Sequence, residues 1–279
     1  MVTNELLDVP TETVPRRLGP VGFGPSKLGR ALCLLSAFHP GDTDLTISEL
    51  ARRTNVPKST THRLLGELAA WGLVERTDDG HRLGVRLFEL GTLVPLQSRL
   101  RETAAPFLAE LFEFTHSCVH LAALDGRDAV YVDKLRSLHG PTVPSRLGGR
   151  MPAYCTGVGK ALLAHSAPAA VEQALRLGLR RRTPHTIVAP GLVMRNLQGV
   201  RERGFAVDRE ESTLGVACVA APILNAGREA VAAVSVTAWA HRLDLKRFVP
   251  AVQAAAQGVT RALASEAAAV GDPAARLFQ

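Results

Sequence analysis

The chain has 279 residues, 46% of them apolar and 21% charged, which is the composition of a globular protein with room for two domains that each bury a core. Its formal charge of +7 favours a polyanionic partner. No stretch approaches the ~20 apolar residues that span a bilayer, and the amino terminus lacks a basic start followed by an apolar core; no membrane partner is expected and the location read is cytoplasmic.

Residues 1–25 carry Pro10, Pro15, Pro20 and Pro25 with three glycines and no helical period, and read as a mobile tail. Residues 26–38 form a helical pattern with Leu28, Leu32 and Leu35 on one face. The segment TISELARRTNVPKSTTHRLLGELAAWG, residues 46–72, then holds two amphipathic helical patterns separated by a short break. Thr46 and Glu49 have the spacing of a capping box, in which hydroxyl and carboxylate each satisfy a backbone N–H. Ile47, Leu50 and Ala51 share a face. The helix runs out at Asn55, and Pro57 suits the first turn of the next one. In that second helix Leu64, Leu65, Leu68 and Trp71 repeat at packing intervals, while Lys58, Ser59, Thr60, Thr61, His62 and Arg63 crowd the start. A recognition helix needs this division, because its N-terminal residues enter the major groove while the rest holds the domain together.

Gly72 ends the helix, and two strand-like runs, residues 73–76 and 81–83, flank an Asp79-Gly80 turn, the pattern of a β-hairpin. The whole is predicted as a winged helix-turn-helix over residues 26–84, reading double-stranded DNA through Arg52, Lys58, Ser59, Thr60, Thr61, His62 and Arg63, with Arg76, His81 and Arg82 in the wing. Between residues 46 and 65, Arg52, Arg53, Lys58 and Arg63 face the single acid Glu49, so phosphate contacts would make binding fall with salt.

Residues 85–100 have Leu87, Leu90, Leu93 and Val94 at helical spacing, interrupted by Gly91 and Pro95: a linker helix that bends or breaks. Over residues 101–265 helices alternate with β-rich segments, predicting an α+β domain around a largely antiparallel sheet, with a C-terminal tail over 266–279. Predicted helices are 103–115, 157–165, 193–204 and 245–264; predicted strands are 117–124, 129–135, 215–224 and 230–237. Cys33, Cys118, Cys155 and Cys218 are widely spaced singles, which signals neither zinc nor a disulfide framework; they read as reduced and mostly buried, and no cofactor or metal is expected. The late basic cluster from Arg176 to Arg203 reads as a solvated surface, with phosphate or oligomer contacts as the alternative.

Three further blocks, GGRMPAYCTGVGKALLA, RTPHTI and VRERGFAVDREESTLGVACVAAPI, together with PKSTTHRLL, resemble the IclR family of bacterial transcriptional regulators over residues 26–265. The resemblance implies a homodimer or homotetramer, DNA contacts from the winged module, and a GAF-like C-terminal domain in which a small organic or aromatic acid tunes operator binding, more often by repression. It places Gly157, Val158, Asp208, Val216, Cys218 and Ser235 at the effector site, with Val143 and Leu147 as apolar walls. The residues themselves agree: small side chains in Thr156-Gly157-Val158-Gly159-Lys160 leave helix N–H groups approachable by a carboxylate, whereas Tyr154 and Ala161 break the phosphate-loop pattern. Glu210 and Glu211 read equally as ligand acceptors or a solvated turn, Cys218 as a small core residue, and Ser235 as ligand-facing or a satisfied sheet hydroxyl. Tyr154-Cys155, Arg182 and Thr237-Ala238-Trp239 depart from the family pattern; the Tyr and Trp would stack on a flat ligand or fill space.

Two other readings stand beside this one. An enzyme acting on a small acid or ester, with an appended winged module, would use Ser235 or a cysteine as nucleophile and a histidine as base. Yet no nucleophile elbow is present, and His116 and His120, in a strand-like segment, would be ~13 Å apart. A winged helix used only for protein contacts would show no salt-dependent DNA binding.

Overall fold

The computed structural model describes residues 26–94, 99–176 and 178–270, with the side chains of 267–270 left out. The tail predicted over residues 1–25, the Pro95 break and residues 271–279 lie outside the described residues. The chain divides into two compact units, Met1–Thr92 and Leu93–Gln279.

The first unit contains α1 (Lys27–Ser36), α2 (Ile47–Thr54), α3 (Lys58–Ala70), the antiparallel hairpin β1 (Val74–Arg76) and β2 (His81–Leu83), and α4 (Arg86–Thr92). Thr46 caps α2 by accepting from the Glu49 N–H at 3.2 Å. The reciprocal half of the predicted capping box does not form: the Glu49 carboxylate accepts instead from Arg52 (2.6 Å) and Arg53 (2.8 Å). Asn55 turns the corner in the left-handed conformation (φ 55°), and Pro57 sits at the cap of α3 rather than inside it. Leu34, Leu45, Leu50, Leu64, Leu65, Leu68 and Val74 form the core. Two sequence expectations change here. α1 buries Leu34 and packs Leu35 and Ala31 against the core, leaving Leu28 69% and Leu32 52% exposed, and Trp71 is 78% exposed just past the end of α3. Cys33, on the same helix, is exposed as well. Apolar residues occupy so much of the α1 circumference that periodicity alone cannot say which stripe faces in.

The second unit is a six-stranded, wholly antiparallel sheet in the order β5-β4-β3-β8-β7-β6. Its strands are β3 (Cys118–Asp125), β4 (Asp128–Leu135), β5 (Arg150–Pro152), β6 (Ala206–Arg209), β7 (Val216–Leu224) and β8 (Ala230–Trp239). One face, with Val119, Leu121, Val219, Val234 and Val236, packs against α5 (Arg101–Thr115) and α9 (Leu245–Val270). The other, with Ala122, Tyr131, Ala220 and Ala233, packs with residues of α6 (Gly157–Ala164), α7 (Pro168–Arg176) and α8 (Pro190–Arg203). Burial on both faces explains why β3 and β7 read as nearly unbroken apolar runs. β5, β6 and α7 escaped the sequence reading; the two strands are three and four residues long, too short to show alternation. The helix expected to end at 264 continues to Val270, so residues 266–270, predicted as tail, are helical. The linker helix is shorter than expected, α4 closing at Thr92.

Candidate functional site

Two surfaces carry chemistry, one in each unit. In the first, Lys58, Ser59, His62 and Arg63 on the opening turns of α3 are exposed and Thr60 is half-buried. Thr61 is fully buried and donates its hydroxyl to the Val56 carbonyl at 3.3 Å, so it holds the corner together and is removed from the reading surface. Arg63 pairs with Glu67 at 3.1 Å, Arg52 with Glu49, and Arg82 with Glu75 at 2.8 Å; all three arginines stay more than half exposed. Arg53 belongs to the scaffold: it bonds Asp42 at 2.5 Å and the Ala37 carbonyl at 3.0 Å. Arg76 is exposed on the hairpin. His81 is half-buried and bridges to Leu45, and burial first, then the charge of Arg76, lowers its pKa.

In the second unit an open cavity lies between the sheet and the start of α6, its empty space of about 370 Å³ including solvent outside it. Sheet register builds its floor. Asp208, Cys218, Thr237 and Cys118 are successive cross-strand neighbours, as are Ala220, Ser235 and His120 one step along. Asp208, Cys218, Ser235 and Thr237 therefore line one wall together, with His120 and Tyr131 beside them. Thr156 caps α6 by accepting from the Gly159 N–H at 3.2 Å, and Gly157 and Val158 also line the cavity. The N–H groups of this first turn have no carbonyl within the helix to bond and carry the positive end of its dipole. The approach depends on glycine: a Cβ on Gly157 would sit 2.7 Å from Cys218 Sγ.

Electrostatics in the cavity follow from burial. Asp208 accepts from the Glu211 N–H at 2.8 Å and the Ser212 hydroxyl at 2.7 Å, yet burial pushes its pKa up to about 6. His120 lies between Ser145 Oγ, 2.9 Å from Nε2, and Thr237 Oγ1, 3.4 Å from Nδ1. Burial, reinforced by Lys134, holds its pKa down to about 3. Desolvation likewise raises Cys218 to about 11, so its thiol stays protonated. Beneath the site the Lys160 ammonium is buried, paired with Glu211 and donating to the Val207 carbonyl at 2.5 Å. The RTPHTI block braces the wall from outside: Thr183 donates to the Glu210 carbonyl and Thr186 to that of Glu211, both at 2.7 Å.

Of the residues placed at the effector site by sequence, Val143, Gly157, Val158, Asp208, Val216, Cys218 and Ser235 line this one cavity. Leu147 does not. It is 50% exposed in the turn before β5, where Gly148 adopts φ 68° and turns the chain away. Glu211 is buried in its ion pair and Glu210 accepts from the Gly215 N–H at 2.7 Å, so neither is a freely solvated acid. Tyr154 donates to the Arg180 carbonyl at 2.5 Å and Trp239 stacks on His241; neither lines the cavity. In the late basic cluster Arg176 pairs with Glu172 on a solvated helix, while Arg181, Arg182, Arg201 and Arg203 donate to backbone carbonyls. His120, Tyr131, Ser145 and Thr237 were missed. A signal existed for two of them: His120 is the lone polar side chain inside an apolar strand, and Thr237 follows Ser235 at the strand period of two.

Residues 96–261 match the family described as Bacterial transcriptional regulator IclR C-terminal, and residues 27–78 match the IclR helix-turn-helix domain. The chain belongs to the IclR family. Curated relatives from Escherichia coli (strain K12) include the HTH-type transcriptional regulator XynR (34% identical, covering 84% of this chain and 95% of XynR) and the transcriptional repressor IclR (35%, 84% and 89%). Among solved structures, an IclR homolog of Microbacterium hydrocarbonoxydans complexed with 4-hydroxybenzoate superposes with a TM-score of 0.80 at 29% identity, over 86% of this chain and all of that one. This IclR-family chain is a ligand-responsive, DNA-binding transcriptional regulator. The winged module and the antiparallel effector-binding domain are the two parts that such a regulator requires. No helix among the described residues is long and apolar enough to cross a membrane.

Proposed function

We propose that this regulator represses transcription by binding double-stranded operator DNA as a homodimer or dimer of dimers in the bacterial cytoplasm, and that a small organic acid occupying the second-unit cavity changes its affinity for the operator. The observation that carries the effector half is the cavity itself, where helix N–H groups and a buried Asp208 converge. A carboxylate suits the start of α6, and the 4-hydroxybenzoate held by the Microbacterium homolog is such an acid. Ligand acts by binding the DNA-competent and incompetent states with different affinity. Self-association is supported by Leu28, Leu32, Trp71 and Phe88, large apolar side chains left exposed in the first unit.

The DNA half is tested by titrating full-length protein against DNA from upstream of its own gene, at two salt concentrations with non-specific competitor. Specific binding that weakens with salt is expected. The double variant His62→Ala/Arg63→Ala is expected to weaken it at least about tenfold, since each good base contact is worth roughly 1–3 kcal/mol. Undiminished affinity and sequence preference in that variant would remove both residues from the reading surface, and absence of all DNA affinity would favour a protein-contact role. For the effector half, Asp208→Asn is expected to shift the ligand concentration that releases DNA by about tenfold, the scale of one hydrogen bond to a charged group. An unchanged ligand response in a variant that still binds DNA excludes Asp208 as the sensor.

One contact favours a second, enzymic reading: Ser145 and His120, at 2.9 Å, are within the reach of a nucleophile and its base. Against it, burial keeps the basicity of His120 far below what proton abstraction at neutral pH needs, and its other nitrogen faces a threonine hydroxyl in place of an orienting carboxylate. Recovering the ligand chemically unchanged from the complex separates the two readings.

A further inference from the structure

The cavity is polar, yet no lysine or arginine among the described residues lines it, and the nearby Lys134 ammonium is bonded to the Ser145 carbonyl and hydroxyl. His120 is neutral between its two hydroxyls, and the ammonium of Lys160 is committed to Glu211 and the Val207 carbonyl. Most polar groups of the lining are engaged within the protein. Tyr131 is the exception of interest. It is only 5% exposed, its ring is fixed edge-on against His120 with centroids 5.2 Å apart, and it lines the cavity. Its hydroxyl makes no hydrogen bond among the described residues, so its donor is open to a ligand. On β4 it stands opposite Ala122.

We propose that Tyr131 is a specificity residue selecting effectors that carry a hydroxyl group as well as a carboxylate, the phenol donating to the effector hydroxyl and that hydroxyl donating to Asp208. This rests on the reading of the cavity as an acid site. Burial is the main reason the phenol resists ionisation, and Asp208 lines the same cavity. A ligand carboxylate placed there would face a second carboxyl group with no cation between them. The free N–H groups at the start of α6 serve the carboxylate instead. A hydroxyl fits beside Tyr131 because it can accept and donate at once. Asp208 Oδ1 takes one bond from Glu211 and Oδ2 one from Ser212, which leaves each oxygen a further lone pair.

The test is calorimetric titration of full-length wild type and Tyr131→Phe with matched acids, 4-hydroxybenzoate against benzoate and lactate against propionate. Wild type is expected to prefer the hydroxy acid in at least one pair. Tyr131→Phe is expected to lose about tenfold of that preference, the scale of one net hydrogen bond, and to melt without ligand at no lower temperature, since the deleted O–H had no partner. A preference that survives in Tyr131→Phe overturns the proposal, and so does a lowered melting temperature, which would mean that the hydroxyl serves the fold. Equal wild-type affinity for both members of every pair overturns it while leaving the acid site standing. If no acid of any pair binds, the acid reading of the cavity fails and the role of Tyr131 fails with it.

Discussion

Gly159→Ala is expected to destabilise the effector-binding domain by at least about 3 kcal/mol, at the upper end of what overpacking a core costs. A Cβ at this position would lie 2.3 Å from both Cα and O of Ala153 and 2.6 Å from its carbonyl carbon. All three are backbone atoms of the 3₁₀ turn Ala153–Cys155, which cannot swing aside as a side-chain tip can. α6 would have to lift off that turn. Because its first turn also forms one end of the cavity, effector binding should fall together with stability. Gly66→Ala is the control. Gly66 lies within α3, and nothing stands within 4 Å of the added carbon. That substitution should stabilise the first unit by about 0.5–1 kcal/mol through helix propensity. Denaturant unfolding of the full-length chain, followed domain by domain, measures both. A Gly159→Ala protein within 1 kcal/mol of wild type would mean that the turn yields far more easily than its packing implies.

The second large effect concerns the ion pair beneath the cavity. The Lys160 and Glu211 side chains are only 1% and 7% exposed, and Glu211 Oε2 is already buried without a hydrogen-bond partner. Lys160→Met removes the cation and keeps the volume, leaving an uncompensated buried carboxylate. The expected loss is about 3–5 kcal/mol. The double variant Lys160→Met/Glu211→Leu should recover most of it, since replacing both charges by apolar groups of similar size is often neutral. Both variants also probe function, because the Glu211 N–H and the Ser212 hydroxyl hold Asp208, and Glu211 shares their loop. Failure of the double variant to regain stability would show that the fold depends on the charges themselves and not on filling the space.

The winged module was readable because its signals are local. Thr46 as a cap, Asn55 and Pro57 at the corner, Gly72 at the close of α3 and the turn before His81 each act within a few residues of chain. The polar start of α3 was equally plain, with one error: Thr61 sits among surface residues in sequence, but its position around the helix turns it inward onto Val56. The same limitation misassigned the exposed leucines of α1 and Trp71. Periodicity finds a stripe, and only packing against a partner says which stripe is buried.

Seven of the eight residues expected at the effector site do line one cavity, which short-range reasoning could not have brought together. Cross-strand register puts Asp208 beside Cys218 and Cys218 beside Thr237, and a single-residue slip would send these side chains to the opposite face. His120 and Tyr131 lie far from the 157–160 and 208–218 blocks in sequence; His120 reaches the site through the pairing of β3 with β8, and Tyr131 through that of β4 with β3, whose register is irregular at Leu121/Ala122. By itself the sequence determined two domains, a DNA-reading helix-turn-helix and an antiparallel α+β partner, because caps, turns and apolar periods act over a few residues. The tertiary structure alone decided which hydroxyls, acids and amides share the cavity, and that Lys160 is committed to an ion pair while the Tyr131 hydroxyl stands free. Those facts depend on strand order and burial, which are properties of contacts between residues distant along the chain.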